Sequence, residues 1–221
     1  MRRLTAIAAF IVLALVLASP ANATPIGPNC GTCQGGIYTL TYNTVPVSQT
    51  ATTVTYQVTL TINTTGYNGG GVAIDNVAVK VSSSLSAATL VSAPGGVGMW
   101  NLTVGGISAS GCNGSGSGFE CADATANTAA PLPHSGTYSW VFNLTMPTNS
   151  LLTGNLGGSI KVRYVDAKGK KVGALVSEDI TIDSFTPQPP PNNPVPEPSS
   201  LALLGTGLMS VAGMVRRRFA K

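Results

Sequence analysis

Between Val54 and Ile62 the chain alternates without exception: Val54, Tyr56, Val58, Leu60 and Ile62 are apolar, and Thr55, Gln57, Thr59 and Thr61 between them are polar. Successive side chains of an extended strand point to opposite faces, so this run has one face for a core and one for water. A helix would scatter the same residues around its circumference. Shorter stretches repeat the pattern at Tyr38, Leu40 and Tyr42, at Val77, Val79 and Val81, at Trp140, Phe142 and Leu144, and at Ile160, Val162 and Tyr164. Further strand-like pieces cover 100–104, 171–176 and 178–184, rich in the β-branched and aromatic residues that suit a pleated, half-buried surface. No segment between the two ends sustains a 3.6-residue apolar period. The body of the chain therefore reads as all-β, with an antiparallel β-sandwich as the expected architecture; a barrel shares the same periodicity. Turn formers separate the runs at 66–71, 94–96, 105–106 and 111–118. Ala167-Lys168-Gly169-Lys170 joins two runs at hairpin distance, which predicts a β-hairpin over 158–176 with its tip near Lys168 and Gly169.

The surface of such a domain has few charges to draw on, because Asp, Glu, Lys and Arg make up only 9% of the chain. Hydroxyl and amide groups must keep it wet, and few carboxylates or amines are left for catalysis. The formal charge of +4 suggests nucleic acid at first. Six of the twelve basic residues, however, are Arg2, Arg3, Arg216, Arg217, Arg218 and Lys221, at the two ends. Between 24 and 195, six basic residues face seven acidic ones, a net charge of −1. That leaves no basic field for a phosphate backbone and excludes a nucleic-acid partner.

The ends read as targeting segments. Arg2 and Arg3, an apolar stretch over 4–17 and Ala21-Asn22-Ala23 have the order of a secretory signal peptide over 1–23, with cleavage between Ala23 and Thr24. The partners expected from it are the secretory translocon and signal peptidase. A β domain over 24–186 follows, and then a proline-rich linker over 187–195 that favours a semi-rigid polyproline II spacer. The last part, 196–221, opens on Pro196-Glu197-Pro198, continues through an apolar segment over 201–215, and reaches Arg216, Arg217 and Arg218. The prolines hold an extended, accessible backbone around Glu197. Residues 199–215 would span about 25 Å as a helix, short for a permanent membrane anchor and sufficient for a transient transmembrane helix. The three arginines are a membrane stop that keeps the C-terminus cytoplasmic.

This tail resembles the C-terminal sorting signal of the PEP-CTERM proteins, exported Gram-negative proteins processed by exosortases. The resemblance is confined to about 27 residues at the C-terminus. It implies recognition at Pro196, Glu197 and Pro198 by an exosortase-like enzyme, an inner-membrane intermediate, and delivery to the cell surface or extracellular matrix. It further implies association with exopolysaccharide or biofilm.

The β domain offers little chemistry. Cys30, Cys33, Cys112 and Cys121 are an even set in an exported chain, which reads as two disulfides; of three possible connectivities, Cys30 with Cys33 and Cys112 with Cys121 is favoured. The Cys30-Gly31-Thr32-Cys33 spacing also fits a redox pair, but it precedes a strand and not a helix N-terminus. His134 is the only histidine, with no metal-binding or nucleophile motif around it. Asp123, Thr125 and Asn127 only faintly resemble the start of a calcium loop, and Glu178 and Asp179 are expected to solvate a strand end. No catalytic residue, metal site or cofactor is expected, and the chain reads as a non-enzymatic surface or matrix protein. The alternatives are a carbohydrate-binding or adhesive module, with Trp100, Tyr67 and Trp140 as its aromatic platform, and an ice-binding protein, suggested by a likeness of the tail to that of some such proteins, using Thr55, Thr59 and Thr61.

Overall fold

The computed structural model describes residues 20–22, 25–43, 45–114, 116–126, 130–131, 136–150 and 158–180. Most of the signal peptide, including Ala23 and Thr24, lies outside them, as do His134, the linker, Pro196, Glu197, Pro198, the 201–215 segment and Arg216 to Arg218. The chain divides into two units, Met1–Pro187 and Gln188–Lys221, and the described residues belong to the first. No helix among them is long and apolar enough to cross a membrane.

Fourteen strands and a single 3-10 turn, Val97–Met99, make up the described secondary structure. The strands are β1 (Pro20–Asn22), β2 (Ile37–Asn43), β3 (Ser48–Gln49), β4 (Thr53–Asn63), β5 (Ala73–Lys80), β6 (Ala87–Ser92) and β7 (Trp100–Val104), followed by β8 (Gly106–Ser108), β9 (Gly111–Gly114), β10 (Phe119–Ala124), β11 (Ala130–Pro131), β12 (Thr137–Pro147), β13 (Gly158–Val165) and β14 (Val176–Ile180). All their pairings are antiparallel. The first sheet runs β1-β2-β4-β12-β6, with β3 also on β4; the second runs β14-β13-β5-β10-β7, with β11 also on β5; β8 and β9 form a separate ribbon.

The alternating run becomes β4, and its period dictates the outcome. Tyr56, Val58, Leu60 and Ile62 are buried, and each intervening polar residue is half-exposed. β12 pairs with β4 along its whole length, from Thr137 opposite Asn63 to Pro147 opposite Thr53. One core takes Tyr38, Leu60, Trp140 and Phe142 from the first sheet and Val77, Val79, Ile160 and Tyr164 from the second, so the two sheets form the layers of a sandwich. Each such aliphatic or aromatic side chain contributes about 1.5–3 kcal/mol on burial. Two contacts tie the layers specifically. Trp100 and Trp140 meet edge to face at 5.4 Å, and the Tyr38 and Tyr164 hydroxyls lie 2.7 Å apart.

The second sheet is covered on its other face as well, which explains why β5 is buried along almost its whole length. The β8–β9 ribbon lies there, where Ile107, Cys112, Phe119 and Cys121 form a smaller cluster around Ala78. The Cys112–Cys121 disulfide links ribbon to sheet. Gly118 brings the chain back to β10 at φ 79, where a Cβ would stand 2.0 Å from the Ser82 carbonyl oxygen.

Two expectations need correction. The hairpin turn at 166–170 forms, with the Asp166 carboxylate accepting the Lys168 and Lys170 amides at 2.8 and 2.9 Å. Its second arm, however, is β14; within 171–175 only Lys171 makes a bridge, to Val165. The stretch 111–114, read as part of a turn, is strand β9. Backbone pairing with β8 is compatible with the glycines, whose lack of side chains erases any period-two signal.

Candidate functional site

The charges of the described domain are segregated by sheet. No strand of the first sheet contains an Asp, Glu, Lys, Arg or His. The second sheet holds Asp75, Lys80, Glu120, Asp123, Lys161, Arg163, Glu178 and Asp179. The sequence carries the signal for this: 4–74 and 81–119 contain none of these five residue types. Their significance emerges only when topology gathers those blocks into one layer.

The outward face of the first sheet is accordingly a neutral field of hydroxyls and amides. Cross-strand neighbours bind one another: Thr55 and Thr145 hydroxyls at 2.8 Å, Thr61 and Ser139 at 3.1 Å, and the Gln57 amide donating to Asn143 at 3.5 Å. Thr59 stands opposite Thr41. At that point an open groove of about 280 Å³ is lined by Thr41, Tyr42, Asn43, Gln57 and Thr59. Thr55, Thr59 and Thr61 thus share the outer face of β4, as their spacing requires.

The three aromatic candidates for a binding platform are all buried, Trp140 in line with its alternation with Phe142. Trp100, Tyr67 and Trp140 are 5%, 7% and 0% exposed. Trp100 donates its indole N–H to the Pro94 carbonyl at 2.8 Å, and Tyr67 stacks on Tyr164 at 4.4 Å. Apolar periodicity puts Trp140 inside, and packing between the sheets takes the other two with it.

The favoured cysteine pairing forms at both sites. The Cys30–Cys33 loop lies along the β2 and β14 side of the sandwich. Thr32 donates its hydroxyl to Glu178, which also lies 3.2 Å from Cys30 Sγ, and Gln34 donates to the Ala174 carbonyl at 2.8 Å. Glu178 therefore anchors this loop, whereas solvation of a strand end was expected. Cys30, Cys33 and Glu178 present three metal-ligand atoms within 4.8 Å of one another. Both sulfurs are consumed by the disulfide, so the cluster as it stands lacks thiolates. Beneath the loop, Tyr38 donates to the Cys33 carbonyl at 3.0 Å, so the hydrogen between the two tyrosines comes from Tyr164. Burial pushes both phenols well above their ordinary range.

A charged cluster lies on the ribbon-covered face of the second sheet, and no sequence motif announces it. Arg163 donates to Asn76 Oδ1 at 3.0 Å and to the Gly169 carbonyl at 3.1 Å, and pairs with Asp75 at 3.4 Å. The Asn76 amide in turn donates to Asp123 at 2.5 Å. Asp123 is thus committed to a strand-to-strand bond, not to a calcium loop. A register shift between Arg163 and Tyr164 brings Asp75 out of the regular alternation. Burial pushes the Asp75 carboxyl up to about 6 even against the Arg163 charge, with Asp123 adding to the rise. Among the described residues, Asp75 Oδ1 and Arg163 Nε have no hydrogen-bond partner. Glu120, 3% exposed, is likewise pushed up to about 6 by burial.

Residues 194–218 match the family model of the PEP-CTERM protein-sorting motif, in agreement with the C-terminal resemblance. The motif implies export toward the cell surface of a Gram-negative bacterium and an exosortase-type processing partner. No curated protein matches the chain.

Proposed function

We propose that this chain is an exosortase-processed, non-enzymatic surface or extracellular-matrix protein, built as a disulfide-stapled β domain on a disposable sorting tail. The match at 194–218 carries the reading. The body of the molecule agrees with it: its two disulfides suit an oxidising exterior. In this reading, the translocon and signal peptidase act at Ala23 and Thr24, the exosortase at Pro196, Glu197 and Pro198, and Arg216 to Arg218 hold the tail in the inner membrane until cleavage. The test is Glu197→Ala in the full chain, with mass spectrometry of the surface-released protein. Loss of release, or a shifted mature C-terminus, is the expected result; an unchanged one refutes recognition at the tripeptide.

One observation favours a second reading, a carbohydrate-binding module. The groove at Thr41, Asn43, Gln57 and Thr59 opens on a sheet without charge, which suits a neutral hydroxyl-rich polymer such as a glycan or exopolysaccharide. Recognition would rest on hydrogen bonds, since the aromatic platform is buried. A glycan array probed with wild-type protein and Gln57→Ala checks it: retained binding by the variant, or none by either, sinks the reading.

A further inference from the structure

The four edges of the sandwich are protected unequally. On one side, the β2 edge is covered at Tyr38 by the segment that follows the proposed cleavage site, with Ile26 bonded to it in both directions at 2.8 Å; β1, on Thr41 to Asn43, leaves with the signal peptide in the proposed mature chain. Beside it, β14 bears Glu178 and Asp179, and the turn before it holds Lys168, Lys170 and Lys171. The Cys30–Cys33 loop closes that side across both sheets. Coverage and charged side chains at the edge are devices by which proteins stop a bare edge from pairing with another chain.

The opposite side has neither. There β6 ends the first sheet and β7 the second, and the two lie next to each other. Among the described residues β6 pairs only with β12 and β7 only with β10. Residues 81–119, which include both strands, are without charge, and neither strand contains proline. β6 pairs regularly from Ala87 to Leu90, and its single bulge, at Val91, is near the end of the strand. Val91, Val97 and Val104 are 47%, 45% and 75% exposed along this side. An unpaired, uncharged edge bordered by exposed valines is a template for another strand of the same character.

We infer that the β6 and β7 side is a docking edge for a second copy of this chain, with β6 pairing antiparallel to its counterpart about a two-fold axis so that the two uncharged sheets become one. A partner with a charged edge would have to desolvate those charges against a strand that offers no counter-charge. A second β6 brings none. Antiparallel pairing of one segment with itself is also the arrangement that closes on a dimer.

Sedimentation velocity of the surface-released protein across the micromolar range tests this, with three lysine substitutions made in parallel. Thr89→Lys places an exposed charge on β6, Ser139→Lys places one on the central β12, and Thr41→Lys places one at the β2 edge, which loses β1 if cleavage occurs between Ala23 and Thr24. Wild type should dimerise, with Thr89→Lys weakening association at least about tenfold and the other two leaving it unchanged. Hydrogen exchange at residues 87–92 should slow with rising protein concentration in wild type, Ser139→Lys and Thr41→Lys, and much less in Thr89→Lys. A wild type that stays monomeric up to about 1 mM overturns the inference. So does a dimer broken by Ser139→Lys or Thr41→Lys and not by Thr89→Lys, which would place the contact on the sheet face or the β2 edge. Unchanged circular dichroism in each variant separates a lost contact from a lost fold.

Discussion

Replacing Arg163 by Leu should destabilise the domain by an amount that grows with pH. The guanidinium holds Asn76 and the Gly169 carbonyl and stands 3.4 Å from Asp75, with side chains only 10% and 11% exposed. The Asp75 carboxyl is raised from 3.8 to about 6 in the folded chain. Between those values the folded domain binds a proton that the unfolded chain does not, so this group's contribution to stability is fully present at low pH and declines as pH rises through about 6. Above that, the carboxylate is charged in a buried site and Arg163 is its counter-ion. Removing Arg163 at pH 7.5 leaves that charge uncompensated, which costs about 3–5 kcal/mol. At pH 5 the carboxyl is largely neutral, and the loss falls to the hydrogen bonds, about 1–2 kcal/mol. At roughly 2–4 °C per kcal/mol for a domain of this size, the melting temperature should drop roughly 10 °C at pH 7.5 and only a few degrees at pH 5. Denaturant unfolding of the released protein, disulfides intact, at both pH values measures the difference directly. Replacing Asp75 and Arg163 together by Leu should restore most of the stability, because no charge is then left buried. An Arg163→Leu cost that is equal at the two pH values, or a double variant no better than the single, refutes the reasoning.

Two other perturbations probe the packing between layers. Breaking the Cys112–Cys121 disulfide with paired alanines reopens a short loop and should cost about 2–3 kcal/mol; limited proteolysis should then cut first within 105–118, where the ribbon has lost its link to β10, and an unchanged cleavage pattern would contradict that role. Tyr164→Phe removes the donor to Tyr38 and should cost about 1 kcal/mol, whereas Tyr38→Phe removes two hydrogen bonds, leaving the Tyr164 hydroxyl without Tyr38 and the Cys33 carbonyl with only the Gly36 amide, and should cost about twice that. Equal costs in urea unfolding would mean that the chain of hydrogen bonds does not run from Tyr164 through Tyr38 to Cys33.

Legibility followed the number of environments each strand faces. β2, β4 and β12 divide one core face from one wet face, so their composition has period two and their positions can be read directly. β5 and β10 are covered on both faces; the alternation of Val77, Val79 and Val81 still marks β5, whereas in β10 Phe119, Glu120, Cys121 and Ala122 are buried in succession, which leaves no alternation to detect. β6 was missed for the opposite reason: Ala87, Thr89 and Val91 are exposed on one side and only Ala88 and Leu90 lean on the core, a pattern too short and too apolar to stand out. The cysteine pairs were accessible because each closes a short loop. The Asp75, Asn76, Asp123 and Arg163 cluster was not, because its members come from three strands and meet only through register.

The sequence alone determined the all-β class, the turn at 166–170 and the sorting tail, because each is encoded by neighbours along the chain: alternation of side chains, turn chemistry, and the order of tripeptide, apolar run and arginines. Only the tertiary structure decided which face of which sheet meets the solvent without charge, which carboxyl is buried beside Arg163, and which edges are left open. Those depend on residues far apart in the chain being brought into register, and on the electrostatic and hydration energies that arise once they are adjacent.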